Sequence, residues 1–246
     1  MTALWAAIDA TWAAPQTHRS GPFLLREGQG GGQRVSAATL SAADGPDPSS
    51  AEIDAAAEAM RALGQRPLFM VRGAQTGFDA LLEAKGYEVN DPVVVMTAPV
   101  ETVAQDGPPP VSAFAIWPPL QIMCEIWDAG GIGPERRAIM AGSCDPKAAI
   151  LGRVRDRAAG CAFVALHDGI AMMHAVEVSA PLRRLGTARN MTLGAADWAR
   201  RNGAHTFAIL TTRDNAAAQG VYASLGMVPV EQYHYRQDPN WMEPAP

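Results

Sequence analysis

One pattern of helix, stop and strand occurs twice in this chain. An alanine-rich segment, a glycine, a short apolar run, a second helical segment and a glycine followed by an apolar residue appear in residues 53–87. They appear again in residues 181–227. Gly64 and Gly203 stand 139 positions apart, as do Leu68–Val71 and Phe207–Leu210; Gly86-Tyr87 and Gly226-Met227 stand 140 apart. Glycine after a helical stretch supplies the left-handed backbone that ends a helix, and four apolar residues behind it read as a buried strand. Alanine-rich helices that stop at glycine are common, so chance is a competitor. A spacing kept to within one residue over helix, strand and helix nonetheless predicts two copies of one supersecondary unit.

The sharpest break between the copies is Gln105-Asp106-Gly107-Pro108-Pro109-Pro110, a stretch that can be neither helix nor central strand. It predicts a domain over residues 1–106 and a second over 111–246. With 48% hydrophobic and 18% charged residues, each part has enough apolar surface for a core. Twenty basic against 25 acidic side chains give a net charge of −5, which lacks the field of a nucleic-acid binder. No apolar run approaches a membrane span, and no basic-then-apolar leader opens the sequence, so a soluble cytoplasmic protein without a membrane partner is expected. Cys124, Cys144 and Cys161 form no C-x-x-C pair, and the five histidines show no ligand spacing; free thiols and no metal are expected.

Local signals predict helices over 3–11, 53–63 (entered through Ser50 and Glu52), 78–84, 120–127, 135–140, from Pro181 to about Asn202, and 215–225. Strands are predicted over 23–26, 34–40, 68–72, 92–96, 161–166, 170–178, 207–211 and 228–235. Gly28-Gln29-Gly30-Gly31-Gly32 follows a strand but precedes the strand-like Arg34-Val35-Ser36-Ala37-Ala38-Thr39, so it reads as a hairpin turn and not a dinucleotide loop.

Chemistry concentrates at Val176-Glu177-Val178-Ser179-Ala180-Pro181-Leu182-Arg183-Arg184-Leu185-Gly186-Thr187-Ala188. A strand ends at proline and a helix begins in Arg-x-x-Gly-x-Ala. The first N–H groups of a helix have no intrahelical partner and carry partial positive charge, so they bind phosphate. Small residues at Gly186 and Ala188 admit a bulky diphosphate to the backbone. A purely structural helix start favours Asp or Glu, whereas Arg183, Arg184 and Arg189 crowd this one, at a cost of a few tenths of a kcal/mol each unless an anion is present. Downstream, Asn215 and Tyr222 are seven apart and so share a helix face. Alone they read as an N-cap and a packing tyrosine.

Taken together, strand, Arg-x-x-Gly-x-Ala helix, apolar strand and Asn-x6-Tyr-x3-Gly-Met resemble the GNAT N-acyltransferase superfamily over residues 160–236. Met227 stands where that family has Phe or Tyr, and Ala188 where it often has Gly. The resemblance implies an α/β (α+β) fold of two GNAT-like domains, each a mixed, mostly antiparallel sheet flanked by helices. It also implies an acetyl-CoA-dependent N-acetyltransferase, with acetyl-CoA as co-substrate, no metal, and a small-molecule or peptide amine as acceptor. Direct attack in a ternary complex is expected, by a monomer or homodimer. By the same resemblance Val176, Glu177 and Val178 match the strand that bonds the pantetheine arm. Arg183, Arg184, Leu185, Gly186, Thr187, Ala188 and Arg189 match the diphosphate loop, Asn215 an arm contact, and Tyr222 the hydroxyl beside the thioester sulfur. A backbone N–H such as that of Val178 would serve the oxyanion. The alternative is a non-catalytic acyl-CoA-binding protein that keeps the fold.

Glu177 and His174 are the candidate bases. Strand alternation places them, three apart, on opposite faces. Glu177 reads either as a base or water-positioning group, or as the partner of an arginine or a backbone group; His174 reads as a base or a hydrogen-bonded core histidine. Tyr233 and Tyr235 read as acceptor-pocket or edge-strand aromatics. Where the second copy has its arginine loop, the first has Asp44-Gly45-Pro46-Asp47-Pro48, which repels diphosphate, and Leu82 and Glu83 stand near the position of Tyr222. The front copy is therefore expected to be degenerate and to wall the acceptor site.

Overall fold

The computed structural model describes residues 2–42 and 45–242. In chain order the elements are α1 (Thr2–Thr11), β1 (Gln16–Ser20), β2 (Phe23–Glu27), β3 (Thr39–Leu40), α2 (Ser50–Ala62), β4 (Leu68–Arg72) and α3 (Thr76–Ala84). Then come β5 (Glu88–Pro99), α4 (Val100–Ala104), β6 (Ala113–Ile116), α5 (Gln121–Ala129), α6 (Pro134–Gly142) and β7 (Lys147–Val154). The chain closes with β8 (Arg157–His167), β9 (Ile170–Val178), α7 (Thr187–Arg201), β10 (Thr206–Thr212), α8 (Ala216–Ala223) and β11 (Val228–Gln237).

Contacts divide the chain into two compact units that are not the two halves read from the sequence. The first comprises residues 1–13 and 95–230, the second residues 14–94 and 231–246. The proline-rich segment, expected to separate domains 1–106 and 111–246, lies inside the first unit. The reason is packing at both chain ends. Trp12 stands edge-on to Phe163 of β8, so α1 belongs with the later strands. At the other end, Tyr233–Gln237 of β11 run antiparallel to Arg72–Leu68 of β4.

In the first unit the strand order is β10-β9-β8-β7-β6. Every pair is antiparallel except β9 with β10, which run parallel. Cβ atoms on Gly152 or Gly160 would meet Met191 of α7, whereas the neighbouring Cys161 thiol donates to the Met123 carbonyl of α5. Successive residues of a strand face opposite ways, so α5 and α7 cover opposite faces of the sheet. Burial among these groups pushes the Cys161 thiol well above its ordinary range.

The second unit has its own core around Phe23, Phe69, Phe78 and Tyr87, whose rings pack edge-on or tilted. The antiparallel ribbon β1-β2-β3 meets β4 through one parallel bridge, Ala38 to Phe69. Asp79 of α3 accepts from His234 (2.9 Å) and from Arg236 (2.7 Å), and the buried Arg236 also donates to the Tyr87 carbonyl (3.0 Å). Burial pulls the Asp79 pKa up, but the bonds from Arg236 and His234 outweigh it and hold the carboxyl below the usual range. Asp79→Ala leaves the buried Arg236 cation with only the longer contact to Glu83 (3.8 Å) and is expected to cost about 2 kcal/mol in urea unfolding. A depressed folded pKa stabilises above the unfolded value and is lost as pH falls through the folded one. The variant's deficit should therefore shrink in acid below about pH 4.

The matched spacings of the sequence have matched hydrogen bonds at the helix ends. Gln65 N donates to Met60 O and Ala204 N to Ala199 O, each at 3.0 Å; Tyr87 N donates to Leu82 O at 3.0 Å and Met227 N to Tyr222 O at 3.1 Å. These bonds set Leu82 at the place of Tyr222. Gly64, Gly86, Gly203 and Gly226 all have the positive φ that such ends need.

Several expectations shift. The strand expected at 34–40 is a 3-10 turn at Gln33–Val35 followed by two strand residues, and β2 takes β1 as its hairpin partner. The cap of α2 is Ser49, one residue before the expected Ser50. Asp44 lies outside the described residues.

Candidate functional site

β9 and β10 pair only over Ile170–Met173 and Thr206–Ile209. Beyond that point they have no register with each other, and a cleft of about 830 Å³ opens between them, lined by Met173–Val178 and Leu210–Thr212. A bulge shapes one wall. Cys161 pairs with Glu177 but Phe163 with His174, so Ala175 and Val176 together oppose Ala162, and Ala175 takes φ +49. The buried Trp127 indole donates to the Ala175 carbonyl at 2.8 Å and holds the bulge. Past it, Ser179 N donates to Ala159 O. In an antiparallel ladder the adjacent pair, Val178 with Gly160, then turns its backbone groups away from the partner strand. The Val178 N–H and C=O accordingly face the cleft.

The helix that starts at the cleft begins later than the sequence implied. Ala180–Leu182 form a 3-10 turn, Arg183–Gly186 a loop, and α7 starts at Thr187, because both Arg184 (φ +62) and Gly186 (φ +82) are left-handed and stop a helix from running on from Pro181. No side chain caps α7, no acidic residue stands in its first turn, and Gly186, Thr187, Ala188 and Arg189 line the cleft. The Thr187 hydroxyl is buried without a hydrogen-bond partner. The matching helix of the other unit is closed. Ser49 accepts from Glu52 N, and Glu52 accepts from Ser49 N at 2.7 Å, a full capping box with a carboxylate at the positive helix end. In that unit a Cβ on Gly77 would collide with the Asp47 carboxylate; in the first unit Ala217, 140 positions on, faces the cleft.

Arg136, Arg183, Arg184 and Arg189 all border the cleft. Arg136, on α6, escaped the sequence reading. Its only signal was a cation in the first turn of a helix, the anomaly already seen at Arg189. Leu185 sits in the loop but does not line the cleft. Asn215 caps α8, its side chain accepting from Ala218 N at 3.1 Å, and both it and Tyr222 face the cleft. Tyr222 is 4% exposed, and burial pushes its hydroxyl up to about 12.

The bulge overturns the expectation that Glu177 and His174 point to opposite faces. Their partners Cys161 and Phe163 are two apart, so the two side chains share the α5 face. His174 is a core residue. It is 4% exposed, stacks on Phe163, and meets Thr11 Oγ1 at 2.9 Å; that hydroxyl donates its one proton to Ala7 O, so His174 Nε2 is the donor. Glu177 accepts from Arg183 Nη2 at 3.2 Å. It also fills the space a side chain at Gly130 would need, since a Cβ there would come 2.5 Å from its carboxyl carbon. A smaller cavity of about 490 Å³ lies beside it, lined by Ile126, Ala129, Gly130 and Pro181. Tyr233 and Tyr235, read as possible acceptor-pocket residues, are buried against each other and line no part of the cleft.

Among the described residues no group of His, Cys, Asp or Glu is placed to hold a metal ion, and no helix is long and apolar enough to cross a membrane. No curated protein matches the sequence. A "GCN5-related N-acetyltransferase from Kribbella flavida" shares the fold with TM-score 0.72 at 18% identity, over 96% of this chain and 94% of that one. A "functionally unknown conserved protein" from Staphylococcus epidermidis aligns with TM-score 0.70 at 8% identity over 96% and 98%. A "tandem GNAT protein from the clavulanic acid biosynthesis pathway" aligns with TM-score 0.62 at 14% identity over 94% and 85%. Residues 122–227 match the family described as Acetyltransferase (GNAT) family, and the whole cleft between β9 and β10 lies within that span. The cleft thus lies in the part of the chain, residues 122–227, that is similar to the acetyltransferase (GNAT) family.

Proposed function

We propose that this protein is an acetyl-CoA-dependent N-acetyltransferase that moves an acetyl group to a primary amine by direct attack in a ternary complex. The observation that carries the reading is the contrast between two repeated helix starts. One is closed by Ser49 and Glu52; the other is uncapped, has no carboxylate in its first turn and opens on a cleft bordered by four arginines. Coenzyme A fits that donor set. Amides of Thr187, Ala188 and Arg189 would hold its diphosphate, and the open space around Gly186 admits it. Bound there, acetyl-CoA supplies an acyl group already activated as a thioester.

The chain's own groups then divide the work. Val178 N–H, turned into the cleft, donates to a carbonyl oxygen. Tyr222 holds its proton at Oη over the whole neutral range and donates a hydrogen bond to the departing sulfur. With the hydroxyl near 12 and a thiol near 8.5, full proton transfer would be uphill by about 5 kcal/mol. Glu177, on the far side of β9, orients the amine or a water. The unit of residues 14–94 and 231–246 reads as a degenerate second copy, with Leu82 in place of the tyrosine and Asp47 against Gly77.

A panel of primary amines offered with acetyl-CoA, read by thiol release, tests this. One thiol per acetyl group transferred is expected. Tight coenzyme A binding with no thiol released for any amine contradicts it and favours a binding protein.

A further inference from the structure

Arg183 stands at the boundary of the two cavities beside β9 and lines both. Its guanidinium is already engaged in the ligand-free protein: Nε donates to the Val178 carbonyl at 3.0 Å and Nη2 to Glu177 Oε1 at 3.2 Å. Both acceptors matter to the proposed reaction. The Val178 carbonyl faces the cleft, where an amide of the pantetheine arm would donate to it in place of Arg183, while Glu177 is the single carboxylate bordering the smaller cavity. Arg183 also belongs to the loop assigned to the diphosphate. A dianion in the cleft would compete with the Glu177 carboxylate for the charge and the donors of this mostly exposed guanidinium.

Resting on the reading given above, we infer that Arg183 is a strap between the donor and acceptor sides: it masks Glu177 and the Val178 carbonyl until a diphosphate draws it away, so that donor binding uncovers the carboxylate that meets the amine. The strap has a direct thermodynamic consequence. Diphosphate must compete with Glu177 for Arg183, so weakening the Glu177 contact strengthens coenzyme A binding, and it does so only when Arg183 is present.

The test is a double-mutant cycle on the full chain, with coenzyme A as the titrant in calorimetry. Glu177→Gln keeps the side chain's size and removes its charge, and Glu177→Ala serves as the second variant. An exposed ion pair of this kind corresponds to roughly a two- to five-fold change in affinity. Coenzyme A should bind Glu177→Gln tighter than the parent by that factor, and Glu177→Ala likewise. In the Arg183→Ala background the same substitutions should change affinity by less than about 1.5-fold, within the error of one weak contact. Equal tightening in both backgrounds would show that removing a negative charge suffices, and no tightening in the parent background would show that the pair does not compete with the ligand; either overturns the strap. Failure of the parent to bind coenzyme A at all would instead overturn the proposed function.

Discussion

Ala188→Glu is expected to raise the melting temperature of this protein and to weaken its coenzyme A binding roughly 100-fold. The two effects have one cause. Ala188 lies in the first turn of α7, whose leading N–H groups have neither a side-chain cap nor an acidic neighbour. A carboxylate placed there meets the positive helix end and the surrounding arginines, a gain of about 0.3–1 kcal/mol, or roughly 1–3 °C for a chain of this size. The same carboxylate occupies the field that a diphosphate would use. Losing charge-assisted hydrogen bonds worth about 3 kcal/mol weakens binding by roughly 100-fold. Thermal melting and calorimetry on one preparation read both signs. A variant that melts lower, or that binds as the parent does, would contradict the reading of this helix end as an anion site.

Tyr222→Phe should act on rate alone. The hydroxyl is buried and its pKa is pushed up to about 12, so it remains a donor at every working pH. Removing a preorganised donor of this kind costs about 100-fold in kcat, while the ring still packs and coenzyme A affinity stays within about twofold. The raised pKa also fixes a sign. Deprotonation would remove the donor, so activity owed to Tyr222 persists through neutral and mildly alkaline pH and declines only as pH approaches about 12. Initial rates of thiol release across pH, compared with coenzyme A titration of the same variant, separate this role from packing. Equal losses in rate and affinity would assign Tyr222 to binding.

Features legible in the sequence are those written locally. The bounds of β9 come directly from Ile170 to Val178, and the helix ends at Gly64, Gly86, Gly203 and Gly226 follow from glycine alone. The repeated spacing left Leu82 and Glu83 near the position of Tyr222, and the bonds of Tyr87 N to Leu82 O and Met227 N to Tyr222 O single out Leu82. β7 escaped because Lys147–Val154 is buried on both faces and shows no two-residue alternation, leaving Ala-Ala-Ile-Leu-Gly without a period to read. The bulge at Ala175 escaped for the opposite reason: Ala-Val-Glu-Val looks like regular alternation, and only pairing with Cys161 and Phe163 reveals the extra residue. That slip moved Glu177 onto the face of His174. The site's residue types were legible, and so was an arginine as one partner of Glu177, but that the arginine is Arg183 was not, since the chain between them folds back through the 3-10 turn Ala180–Leu182. The division into units was likewise invisible, because it rests on contacts between residues far apart, such as Trp12 with Phe163 and Tyr235 with Met70.

The central claim is that one of two repeated helix starts binds a diphosphate and the other does not. Backbone amide resonances followed by NMR during titration with inorganic pyrophosphate, and then with coenzyme A, address it residue by residue. The amides of Gly186, Thr187, Ala188 and Arg189 should move together and saturate at one ligand per chain, while those of Ser50, Ala51 and Glu52 stay fixed. Shifts at the start of α2, or a silent start of α7 in a protein that binds coenzyme A, would contradict the account.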